Sequence, residues 1–152
     1  MRWLGLALIL ISTPAWAETQ TGSALVVDGD TLFVAGVHVR LLNMDAFESD
    51  QTCTRDGTEY PCGTNATRTL IGLISENEIQ CEGDKRDRYN RPLVHCWVGD
   101  LDLGKEMVRA GWAISAYGTE YRADQEQAQR ILAGAWAGTF QNPADWRREH
   151  PR

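Results

Sequence analysis

The chain has 152 residues, 43% of them hydrophobic and 24% charged, and a formal net charge of −6. That length fits one domain, and the composition is that of an ordinary globular protein, which excludes intrinsic disorder. The acidic balance excludes a protein that coats nucleic acid non-specifically, since such proteins carry a broad basic face; it leaves room for a local basic site and fits recruitment of a cation.

Residues 1–17 read as a secretory signal peptide. Arg2 gives a positive start, Leu4 to Ile11 is an unbroken apolar run, and Pro14 precedes the small-x-small site Ala15-Trp16-Ala17. The run is too short for the roughly 20 residues that span a bilayer, which argues against a retained anchor. Cleavage after Ala17 removes Arg2 and no acidic residue, leaving a net charge of −7. The protein is therefore expected to be exported, to the periplasm or outside the cell, as one domain over 18–152 with a core at about 23–137 and a tail at 138–152.

Ser23 to Val27 is apolar and β-branched, and Asp28-Gly29 then gives a hairpin signal. Thr31 to Ala35 predicts a second strand. Ala35-Gly36 turns the chain again, and Val37 to Asn43 predicts a third. Met44 to Cys62 has little periodicity and reads as a long loop, a kind of segment that is often functional. Gly63 to Ser75 predicts a helix that Thr64 can cap, with Ala66, Leu70, Leu73 and Ile74 recurring at helical spacing. Glu78 to Glu82 and Pro92 to Val98 predict two more strands around the charged turn Gly83 to Arg91. Asp102 can cap a second helix ended by Gly111, and Trp112 to Tyr117 is a short extended link. Ala123 to Ala133 predicts a third helix. The tail is polar, with Trp146 embedded, and is expected on the surface. The fold class expected from this order is α+β, with three helices and five short strands resembling an OB-fold barrel, an architecture that commonly binds nucleic acids or sugars.

All four cysteines lie beyond the leader, and an even count in an exported chain reads as two disulfides. Of three possible pairings, Cys53–Cys62 would pin the long loop and Cys81–Cys96 would staple the two strands flanking the charged turn. A zinc site is disfavoured because no Cys-x-x-Cys pair is present.

Several residues have the chemistry of phosphodiester cleavage, which needs a cation, rigid guanidinium donors and a carboxylate to handle a water's proton. Asp30 follows the first turn. Asp45 sits where the third strand must stop and can approach Asp30 only if the chain bends, because strand residues alternate faces. Two carboxylates with a main-chain carbonyl and waters suit one calcium ion better than magnesium. Arg40 stands inside an apolar strand and needs an anionic partner there; an ion pair with Asp30 or Asp45 and a bidentate phosphate clamp both satisfy that need. Lys85, Arg86, Arg88 and Arg91 form the densest basic cluster and so the natural phosphate-facing edge.

The ordered set Val27-Asp28-Gly29-Asp30-Thr31, Arg40-Leu41-Leu42-Asn43-Met44-Asp45-Ala46-Phe47-Glu48 and Asp87-Arg88-Tyr89-Asn90-Arg91 resembles the thermonuclease, or staphylococcal nuclease-like, family. The later stretches Met107 to Ala113 and Glu126-Gln127-Ala128 extend the resemblance over about Val26 to Trp136. It implies a calcium-dependent nuclease that cuts DNA and RNA with little sequence demand and leaves 3′-phosphate ends, acting as a monomer. It assigns Asp30, Asp45 and the carbonyl of Ala46 to the metal, and Arg40 and Arg91 to the scissile phosphate. Glu48 becomes the general base or water-orienting group, and Tyr89 and Tyr117 become substrate contacts, with Lys85 and Arg88 beside them. Ala46 and Phe47 stand where the family usually has Thr and Pro, and Phe47 is expected to loosen the turn before Glu48. The alternative is a catalytically inactive OB-type module that binds nucleic acid.

Overall fold

A computed structural model describes residues 17–151. Apart from Ala17, the segment read as a leader lies outside the described residues. Among the described residues, no helix is long and apolar enough to cross a membrane.

The meander expected around Asp28-Gly29 forms from β2 (Ala24–Val26), β3 (Thr31–Val34) and β4 (Val37–Leu41). Two-residue alternation sorts its side chains. Leu32, Val34, Val39 and Leu41 point into the core, while Phe33 and Arg40 lie on the other face. Ala35, at φ 47°, and Gly36, at φ 82°, make the tight turn that sets Thr31 opposite Arg40 and Phe33 opposite His38.

Beyond the meander, β4 runs parallel to β9 (Pro92–Val98), and β9 pairs antiparallel with β8 (Ile79–Arg86). Cys81 and Cys96 face each other in that ladder and are joined, and Cys53 is joined to Cys62, which are the two disulfides expected. The strand order is completed by β1 (Glu18–Gly22), which pairs with β8 and begins five residues before the expected core. Its composition, Glu-Thr-Gln-Thr-Gly, lacks the apolar alternation of a half-buried strand, so it carries no hydrophobic signal.

The segment 44–62, expected as an irregular loop, holds three short strands. β5 (Met44–Ala46) is followed by the hairpin of β6 (Cys53–Arg55) and β7 (Thr58–Tyr60), closed by Asp56-Gly57. Three-residue strands are too short to show a period. Helix α1 (Cys62–Ile74) then packs Ala66, Leu70 and Ile74 into the core. Thr64 is not its cap: the helix starts at Cys62 behind Pro61, with no side-chain cap. The Gly63 N–H instead donates to the carbonyl of Gln51, and the Cys53 disulfide fixes the first residue, so the loop itself terminates the helix.

After the two-residue strand β10 (Leu101–Asp102), helix α2 (Leu103–Arg109) is capped by Asp102, whose carboxylate accepts from the Lys105 N–H. Strand β11 (Ala113–Ser115) pairs with β5, and α3 (Arg122–Arg130) covers α2. A 3-10 turn at Gly134–Ala137 leads into the tail, which folds into a fourth helix, α4 (Pro143–Glu149), where three were expected. Asn142 caps it and Pro143 opens it, a combination suited to a helix start. The result is an α+β OB-type sheet, and the tail packs against the segment from Asp45 to Thr54.

Candidate active site

The site begins at the bend between β4 and β5. Asn43 adopts φ 61°, a left-handed conformation that asparagine tolerates better than most residues. It reverses the facing of the chain, so that Asp45 turns back toward Arg40 and Asp30. Strand β11 then clamps the bend, with Ile114 opposite Asp45 and Ala113 opposite Ala46.

Both carboxylates are almost sealed from solvent, with Asp30 4% and Asp45 1% exposed. One nitrogen, Nη2 of Arg40, touches both: 3.0 Å from Asp30 Oδ2 and 2.9 Å from Asp45 Oδ1. The Thr31 hydroxyl donates to Asp30 Oδ1 at 3.0 Å, and the Ala46 N–H donates to Asp30 Oδ2 at 3.2 Å. Burial pushes the Asp30 carboxyl up to about 7; Arg40 counters this, while Asp28 and Asp45 add to it. The Arg40 guanidinium is held above its ordinary range: burial alone would lower it, and the two aspartates outweigh that.

Glu48 is positioned by a small turn. Its N–H donates to the Gln51 side chain at 3.1 Å, and its carbonyl accepts from the Gln51 N–H at 2.8 Å. Gln51 is fully buried, and its side-chain amide also donates to the carbonyl of Gln141 at 2.7 Å. Phe47 does not loosen this turn. It is buried and meets Phe140 edge-on at 5.0 Å, and Phe140 in turn meets Trp136 at 4.8 Å. An aromatic anchor thus replaces the stiffness a proline would supply. Gln51 was not singled out in the sequence; its signal is a polar residue three positions after Glu48 within the loop.

The basic turn forms the opposite wall. The Arg91 Nε donates to Asp87 Oδ2 at 2.7 Å, and its N–H donates to Asp87 Oδ1 at 2.9 Å. Burial alone would raise the Asp87 carboxyl, but these bonds and the one from the Tyr89 N–H hold it below the usual range. The guanidiniums of Arg88 and Arg91 lie 4.8 and 5.5 Å from the centre of the Tyr89 ring. A groove of about 1010 Å³ runs between the walls, lined by Arg40, Glu48, Arg88, Tyr89, Arg91 and Tyr117 among others. Lys85 is not among its lining residues; it sits in β8 opposite Leu93.

A residue the sequence did not mark enters the site from the tail. Arg147, on α4, binds Asp45 through both ends of its fork: Nη1 to Oδ1 at 2.9 Å and Nη2 to Oδ2 at 2.8 Å. Its Nη1 also reaches Glu48 Oε1 at 2.6 Å, and Nη2 lies 3.3 Å from the Tyr117 hydroxyl. The hydrogen bond to Asp45, more than any other cause, raises the Arg147 guanidinium well above its ordinary range.

The donor set fits a hard divalent cation. Asp30 and Asp45 are oxygen ligands close enough to share one nitrogen, and two guanidiniums are drawn onto them. A separate group, His95, Asp102 and Glu120, also has ligand atoms within 4.8 Å of one another. Its atoms serve hydrogen bonds: the Tyr121 hydroxyl donates to Asp102, His95 Nδ1 lies 3.1 Å from that hydroxyl, and Asn43 donates to Glu120.

A model of the staphylococcal nuclease homologue family matches residues 38–138. The chain is 32% identical to the succinoglycan biosynthesis protein ExoI of Rhizobium meliloti (strain 1021), over 86% of this chain and 71% of that protein. It is 31% identical to the micrococcal nuclease of Shigella flexneri, over 93% of this chain and 87% of the relative. The thermonuclease of Staphylococcus hyicus is 26% identical over 80% and 78% of the two chains. With the OB-type sheet and the paired carboxylates, these likenesses establish that the chain belongs to the staphylococcal nuclease homologue family and is a nuclease, a hydrolase of phosphodiester bonds.

Proposed function

We propose that the protein is an exported, monomeric, calcium-dependent nuclease that cleaves DNA and RNA with little sequence demand and leaves 3′-phosphate ends. The observation that carries this reading is the buried pair Asp30 and Asp45, bridged by Arg40 at the edge of the groove, with Glu48 beside it. Asp30, Asp45 and the Ala46 carbonyl would hold the calcium ion, which when bound draws charge from a phosphate oxygen.

The other steps belong to the chain's own residues. Arg40 and Arg91 hold the non-bridging oxygens of the scissile phosphate from the two walls, and their donors gain strength as charge builds on those oxygens. Glu48 orients a water and accepts its proton as the water oxygen bonds to phosphorus. The P–O5′ bond breaks, phosphate stays on the 3′ side, and solvent protonates the departing 5′ oxygen. Tyr89 and Arg88 steady the backbone on one side, and Tyr117 faces the substrate on the other. An acidic chain is compatible with this because the positive groups are concentrated on the walls. Two disulfides and the expected leader support export.

The test is cleavage of plasmid and RNA by oxidised protein with calcium, with magnesium and with chelator, followed by end analysis of the products. Calcium-restored cutting with 3′-phosphate ends is expected. Arg40→Ala and Arg91→Ala should each raise the barrier by about 2–4 kcal/mol, as loss of a transition-state donor does. Cutting unaffected by chelator, or wild-type rates in both variants, would overturn the mechanism.

A further inference from the structure

Arg147 stands outside the family-matched region, at the end of a polar tail, yet it makes the densest set of contacts in the acidic centre. Its fork covers both oxygens of Asp45, and Asp45 is one of the two carboxylates that a cation would need. A guanidinium and a divalent ion cannot share those oxygens: they exclude one another sterically, and like charges at that range repel strongly where water is sparse. The groups that face Arg147 explain its seat. Asp45 and Glu48 attract it, the Tyr117 hydroxyl accepts from it, and Arg40, already on Asp45, repels it. With Arg147 withdrawn, Asp30 and Asp45 keep their shared contact to Arg40 Nη2, and a divalent cation can supply the positive charge that Arg147 took away.

The seat is also built to be left. Helix α4 has seven residues, and only Pro143 of it is buried. Besides Arg147, its hold on the loop includes the Trp146 indole N–H, which donates to Asp50 at 3.3 Å. We infer that Arg147 is an internal, exchangeable occupant of the metal position: it neutralises Asp45 and Glu48 in the metal-free protein and is displaced when the cation binds. This rests on the metal reading above and adds a residue that sets metal affinity and couples it to the position of α4. Once displaced, the guanidinium remains at the groove wall, where a substrate phosphate is the next available anion.

The test uses the full-length oxidised protein. Calcium binding is measured by titration calorimetry for wild type, Arg147→Ala, Arg147→Gln and Arg148→Ala. Arg148 is the control, being an exposed neighbour paired with Asp145. Hydrogen exchange along α4 is followed with and without calcium. Arg147→Ala should bind calcium at least tenfold more tightly, with Arg147→Gln moved in the same direction and Arg148→Ala like wild type. In the wild type, calcium should speed exchange in 143–149 while slowing it near Asp30 and Asp45. Calcium affinity that is unchanged or weakened in both Arg147 variants, with α4 equally protected in both states, would overturn the inference and leave the metal reading intact. No calcium binding by wild type or variants would remove the metal reading, and this inference with it.

Discussion

At Asp30, burial and charge pull in opposite directions. Sealing the carboxyl from water raises it to about 7, despite the guanidinium of Arg40 at 3.0 Å. The unfolded value is 3.8, so the folded, metal-free protein binds a proton more tightly than the unfolded chain does. The sign follows from linkage: stability gained from this group is fully present below about pH 3.8 and is lost as pH rises through about 7. Denaturant melts of chelated protein between pH 4.5 and 8 should show this downward trend, and Asp30→Asn should flatten it. A trend that is the same in the Asn variant would assign the pH dependence elsewhere. The same residue shows why a motif is read more easily than its environment. Asp30 is legible in Val27-Asp28-Gly29-Asp30-Thr31, but its burial depends on Ala46 and Thr31 closing over it, and neither contact has a pattern in the sequence.

Among the elements, the turn that carries Glu48 is also hemmed in by the backbone of α1. Gly63, the second residue of α1, passes so close to this turn that an added Cβ would lie 1.7 Å from the carbonyl oxygen of Glu48. Gly63→Ala must therefore push the helix start and the turn apart. A cost of about 1–3 kcal/mol is expected, as for other overpacked sites, together with a larger loss of kcat than of substrate affinity. Retention of wild-type stability and rate would show that the helix start shifts freely. The meander, the β8–β9 hairpin, the Asp102 cap and the positions of three helices could be read from the sequence, because each carries a period or a cap over several residues. The pairing of β5 with β11 could not, since each has three residues and they lie far apart in the chain. Thr64 misled for a related reason: it is a good capping residue, but the chain before it was already committed to Gln51 and Cys53. Arg147 was hidden twice over, in a polar tail and 102 residues from its partner.

The whole molecule divides its cross-links between two tasks. Cys53–Cys62 closes 9 residues around the β6–β7 hairpin, whereas Cys81–Cys96 closes 15 and ties together neighbouring strands of the main sheet. Loop closure of that second size corresponds to about 3 kcal/mol. Replacing Cys81 and Cys96 with Ala should therefore lower Tm by on the order of 10 °C for a domain of this size. The Cys53→Ala, Cys62→Ala pair should cost less stability and more activity, because it frees the segment between Glu48 and α1. Thermal melts and initial rates on both double variants check the division; equal effects on both readouts would show that the bridges are interchangeable.

The bend at Asn43 and the seat of Arg147 also order events in time. Asp30, Arg40 and Asp45 lie within 16 residues and can meet as soon as the meander closes. The contact between Asp45 and Arg147 spans nearly the rest of the chain, and such distant closures come late, because their loop entropy must be met before the contact returns anything. The centre is thus assembled first in its acidic form and is quenched later, when α4, 102 residues further along the chain, reaches Asp45. A cation present during folding would find Asp30 and Asp45 together before their internal rival has arrived.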